Sequence, residues 1–265
     1  MVNLKRSLAP ITPDAWEFID KEARRVLKLK LSARKAVDFV GPKGIKYAAV
    51  NTGRRTALED KAEGASIFQR QVLPLVEVEI PFRLHLEELE AFVRGAEDVN
   101  IDNLLESANE LARIENKAIF FGMDSAGISG LVNSSGQTLD TPATGLISSV
   151  AEGINNLVKA GVNGPYTLLL GPELYHSLYT RNDRGYPLEK RISDIIGGDI
   201  LFTPDLEGYG LLLSKRGGDF ELIVGQDIAI GFSGQFGDEL EFFLLESFTF
   251  RVNTPEAAVV LKATD

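Results

Sequence analysis

Arg216-Gly217-Gly218-Asp219-Phe220, followed two residues later by Ile223-Val224-Gly225-Gln226-Asp227-Ile228-Ala229-Ile230-Gly231, is the stretch on which the fold turns. A Gly-Asp turn feeds an apolar strand, and the strand stops at a further glycine. Working outward, the C-terminal third reads as more strands: Ile200 to Thr203, Leu211 to Ser214, Phe220 to Val224, Ile228 to Phe232 and Glu241 to Val252. In the last of these, Phe242, Leu244, Phe248, Phe250 and Val252 alternate onto one face, with Glu246 among them. Short helices over Pro172 to Leu178 and up to Ile196 interrupt the series, so the class is α+β and not a repeated βαβ unit.

The N-terminal half is organised by helices. Thr12 is an N-cap with Pro13 at the first helical position, and Trp16, Ile19, Ala23, Val26 and Leu27 recur at helical spacing. The other face of this helix is basic, with Arg24, Arg25, Lys28 and Lys30, then Arg34 and Lys35. It reads either as a solvated face or as a surface that meets a guest. Residues 51–66 are polar with no period a core could use, and Pro74 and Pro81 place the strand that follows at a sheet edge. The clearest helix comes next, capped by Asp98 or Asn100, running through Ile101, Leu104, Leu111 and Ile119 and stopping at Gly122. A second amphipathic helix carries Ile147, Val150, Ile154 and Leu157 and ends at Gly161.

Composition excludes several function classes. The chain of 265 residues has 44% hydrophobic content and can bury a substantial core. It has no cysteine, so disulfides and thiolate metal sites are out, in keeping with a reducing cytosol. No apolar run of roughly 18 residues is present, so no membrane span is expected. With 28 basic and 38 acidic residues the formal charge is −10, which disfavours nucleic acid as a partner. His85 and His176 are the only histidines, and neither sits in a zinc motif. Gly127-Ile128-Ser129-Gly130 lacks the second spacer of a nucleophile elbow, and no phosphate-binding glycine motif follows a strand. No catalytic residue, metal or cofactor is expected.

Three blocks in order carry a resemblance: the C-terminal stretch above, Tyr186-Pro187-Leu188-Glu189-Lys190-Arg191, and Leu4-Lys5-Arg6-Ser7-Leu8-Ala9-Pro10-Ile11-Thr12 followed by Trp16. The chain resembles the encapsulins, bacterial nanocompartment shell proteins of the linocin type. The resemblance implies the tailed-phage major capsid protein fold, Hong Kong 97-type. On that plan residues 1–49 hold the N-terminal helix and the start of a peripheral domain, and 50–79 form an extended loop lying on a neighbour. Residues 80–132 carry the spine helix, 133–222 the axial domain, and 223–265 the return to the peripheral domain.

The resemblance also implies function. The shell closes from roughly sixty copies of one chain or a multiple, performs no chemistry of its own, and sits in the cytoplasm. Its cargo is a ferritin-like iron oxidase or a dye-decolourising peroxidase, held by a C-terminal targeting peptide. Arg34, Val37, Asp38, Asp227, Ile228 and Ile230 match the inner cargo groove, with Ile228, Ile230 and Val37 apolar and Arg34, Asp38 and Asp227 fixing register. Replacing Arg34 and Asp38 should then empty the shell without breaking it. Arg181, Asn182, Asp183, Arg184, Gly185 and Tyr186 match the segment lining the five-fold pore. Some relatives hold flavin on an aromatic residue; His85-Leu86-Glu87-Glu88-Leu89 offers no ring there, so flavin is not expected. The alternative on the same fold is a phage-type capsid protein enclosing DNA.

Overall fold

The computed structural model describes residues 4–62, 65–180, 182–183 and 186–264. The N-terminal helix, Pro13–Lys30, opens on Thr12, whose hydroxyl accepts from the Ala15 N–H at 3.2 Å. Such a cap is worth about 1 kcal/mol. The helix buries Trp16, Ile19, Ala23, Val26 and Leu27. The spine helix, Asp102–Phe121, starts later than its polar flank suggests: Asn100 accepts from the Asp102 N–H at 3.1 Å, and Asp98 does not cap it. Gly122 ends it as expected.

Two sheets divide the body. The long strand Glu239–Val252 is central to the first, paired antiparallel with Val76–His85 on one edge. Its other edge is shared by two strands: Phe220–Val224 against the C-terminal part and Ala229–Phe236 against the N-terminal part. Asp38–Val40 adds in parallel beside Phe220–Val224. Among the described residues Val76–His85 has no second neighbour strand, which is where Pro81 is tolerated, since its missing N–H faces no ladder. The second sheet runs Ile200–Phe202, Tyr166–Leu170, Tyr209–Ser214, Ala258–Thr264 and Thr138–Pro142 in spatial order, mixing parallel and antiparallel pairs. The C-terminal segment therefore adds its last strand to the second sheet. Ala258 to Leu261 are four consecutive buried apolar residues, a pattern suited to a strand covered on both faces, and they pair with residues 210–213, which are buried as well.

Ala49–Ala62 and Ala65–Pro74 form a long two-stranded arm whose second strand is exposed at all positions but one. An isolated two-stranded ribbon is marginal in water, so this arm has no core of its own to hold it. The edge strand of the first sheet, Val76–His85, follows the arm directly.

Candidate functional site

The turn that opens the signature stretch is built first. Gly217 and Gly218 both adopt left-handed backbone angles, φ 83° and 82°, which only glycine enters without strain. Asp38 accepts from the Gly218 N–H at 2.5 Å, and Arg216 grips the buried Asp219 through two hydrogen bonds of 2.9 and 2.8 Å. Burial opposes the Asp219 charge, but Arg216, Thr254 and Ser214 hold its carboxyl below the usual carboxylate range.

A groove of about 430 Å³ runs between the N-terminal helix and the segment after this strand. Ala23, Leu27 and Leu31 form one wall and Ile228, Ala229 and Ile230 the other, with Leu244 between them. Arg6, Asp20, Arg24 and Lys28 also line it, and Arg34 and Asp227 complete it. Four of the six residues expected at the groove, Arg34, Asp227, Ile228 and Ile230, are thus brought together. Val37 and Asp38 are not: Val37 packs against the larger hydrophobic core, and Asp38 is engaged with the glycine turn.

Arg34 is committed within its own chain. Its Nε donates to both oxygens of Glu115 at 3.0 and 2.8 Å, and its Nη1 donates to Asp227 Oδ1 at 3.0 Å. Its Nη2 meets Glu246 Oε1 and lies 2.7 Å from Glu115 Oε2. Glu115 and Glu246 are both fully buried, whereas the Asp227 side chain is 42% exposed. Burial works against the guanidinium charge, but the Glu115 hydrogen bond and the three carboxylates outweigh it and hold Arg34 above its ordinary value. For Glu246 burial comes first, then the Glu115 charge, and both push it well above the carboxylate range against the pull of Arg34.

Neither glutamate was singled out as a site from sequence, though a signal existed. Glu115 lies between Leu111, Ala112, Ala118 and Ile119 on the buried stripe of the spine helix, and Glu246 lies on the apolar face of its strand. A charge in an apolar stripe implies a buried counter-charge, and Arg34 supplies it.

At the expected pore segment, Asn182–Asp183 pairs antiparallel with Tyr186–Pro187 as a small hairpin. Arg181, Arg184 and Gly185 lie outside the described residues. His85 lies 3.7 Å from Glu239, and no group of three metal-ligating side chains occurs among the described residues.

The family model described as "Encapsulating protein for peroxidase" matches residues 1–249. The type 1 encapsulin shell protein of Rhodospirillum rubrum is 40% identical, with 99% of this chain and 97% of that one covered. This chain belongs to the type 1 encapsulin shell proteins. The encapsulin fold also matches the virus-like particle of Pyrococcus furiosus, with TM-score 0.63 at 16% identity over 91% of this chain and 98% of that one. The capsid of Myoviridae phage XM1 follows at TM-score 0.60 and 12% identity, covering 88% and 92%. The tailed-phage capsid fold is therefore present, and the encapsulin is a structural shell subunit that assembles with copies of itself, not an enzyme.

Proposed function

We propose that the shell encloses an enzyme whose C-terminal peptide seats in the groove between the N-terminal helix and Ile228–Ile230, and that small ions or substrates enter through pores lined by residues 181–186. The groove carries this reading. Its volume of about 430 Å³ falls within the roughly 300–1,000 Å³ of small-ligand clefts, and its apolar walls end at charged groups that can set register. The cargo is an iron oxidase of the ferritin-like class or a dye-decolourising peroxidase, the latter in line with the family description. The compartment is cytoplasmic; among the described residues no helix is long and apolar enough to cross a membrane.

Ile228 is only partly buried, so it can be changed without opening the core. Ile228→Glu removes an apolar contact of roughly 1.5–3 kcal/mol from the peptide and should lower the cargo-to-shell ratio at least about tenfold while particles still form. Undiminished copurification of cargo would remove the groove from cargo capture. Nuclease-protected DNA in the particles would instead point to a capsid of the phage kind.

For the pore, a ring of identical loops repeats one charge around the axis and filters ions by sign. Asp183→Lys should change the rate of ferrous iron entry into loaded shells without altering particle size. An unaltered rate would assign entry to another opening.

A further inference from the structure

Two hydrophobic clusters share the subunit, and the elements that pass from one to the other carry charge at the crossing. The spine helix places Leu111 and Ala112 in the smaller cluster and Ala118 and Ile119 in the larger, with Glu115 between. The long strand places Leu244 in the smaller and Phe248 in the larger, with Glu246 between. Arg34 follows Leu31 of the smaller cluster and Ala33 of the larger, and Asp227 lies between Val224 of the larger and Ile230 of the smaller. The seam between the two cores is thus one guanidinium and three carboxylates.

We propose that Glu115 and Glu246 hold a single proton between them, and that this proton is a latch keeping both cores, and the groove wall at Asp227, closed on Arg34. Asp227 is half-exposed, so water helps to carry its charge. The two glutamates have no such help: both are fully buried, and one guanidinium can balance only one of them. A second buried anion would cost several kcal/mol, and a carboxyl in that position takes a proton instead. Glu246 Oε2 is buried with no hydrogen-bond partner, which leaves that oxygen free of competing donors. Arg34 faces the pair from the turn after the N-terminal helix and Asp227 from the strand link, while the edge strand presents apolar Val78 opposite Glu246. The raised affinity of Glu246 for its proton, caused first by burial and then by the Glu115 charge, agrees with this arrangement.

The direction of the pH effect follows. The folded subunit keeps a proton that an unfolded glutamate releases near pH 4.3, so the latch contributes fully below about that pH. Its contribution drains away as pH rises toward the raised folded value, by up to about tenfold in the unfolding equilibrium per pH unit. Above that value both glutamates are charged, and three anions around one cation repel across the seam. This inference does not depend on what occupies the groove.

The test uses assembled wild-type shells and the Glu246→Gln and Glu115→Gln variants, each amide mimicking a protonated acid. Infrared spectra at neutral pH should show the carbonyl band of a buried carboxylic acid in wild type, lost in at least one variant. Guanidinium unfolding is followed through Trp16, the sole tryptophan, from about pH 5 to about pH 9. Wild type should lose stability relative to the same variant by up to about tenfold per pH unit. A wild-type spectrum without that acid band overturns the proposal, and so does a pH-independent difference from both variants. Should neither variant fold, the wild-type infrared band alone decides.

Discussion

Arg34→Met is expected to abolish shell formation, not merely empty the shell. The side chain is of similar length, so little volume changes, but the guanidinium at the seam disappears. Glu115 and Glu246, both fully buried, are left with no cation to balance the charge they carry between them. Removing one partner of a buried ion pair typically costs about 3–5 kcal/mol, a large share of the roughly 5–15 kcal/mol that holds a domain together. Arg34→Lys should rescue only partly, because a single ammonium cannot reach three carboxylates with the planar fork that Arg34 uses. Adding Glu115→Gln and Glu246→Gln to Arg34→Met should restore particles, since the uncompensated charge that the pair carries goes with its partner. Soluble yield, guanidinium midpoint and negative-stain microscopy read these three variants beside wild type. Intact but cargo-free particles from Arg34→Met would reverse the assignment and make Arg34 a residue of the cargo peptide's site, as the resemblance implied.

That contrast shows what was legible in the sequence. Periodicity placed the N-terminal helix, the spine helix and the strands of the C-terminal third within a few residues, because each has one strongly apolar face and a local stop signal such as Gly122. The arm was legible for the opposite reason, since residues 51–66 offer nothing to bury. Long-range partnerships were not legible. Arg34 reaches Glu115 across 81 positions and Glu246 across 212, and no local pattern states which buried charge answers which. Nor does proximity in sequence state where Val37 and Asp38 go. They follow Arg34 closely, but the chain turns after Ala33–Lys35 into the strand Asp38–Val40 and carries them to the glycine turn, away from the groove. The last strand joined the second sheet because pairing is decided by which edge is open and apolar, again a property of the assembled body and not of residues 258–264 alone.

The end of the spine helix sets up the second large effect. Gly130 lies against the helix terminus so closely that a methyl group there would sit 2.2 Å from the Gly122 nitrogen, 2.3 Å from the Phe121 carbonyl carbon and 2.6 Å from the Phe120 oxygen. All three are backbone atoms, so no side-chain rotation can make room. Either the Gly122–Met123 and Ile128–Ser129 pairing opens, or the helix end moves and drags Ile119 and Phe120 out of the larger core. Gly130→Ala should therefore cost more than about 3 kcal/mol, the upper part of the usual over-packing range, and give aggregated or unassembled chain. Gly136→Ala, six residues on in the same connecting segment, is the control, because a methyl there meets nothing within 4 Å. That variant should form particles with stability within about 0.5 kcal/mol of wild type. Light scattering on heating compares the two, and equal dissociation temperatures would mean that the spine helix end tolerates separation from the segment it touches. In that case the larger core would have to be anchored chiefly through the second sheet and not through the spine.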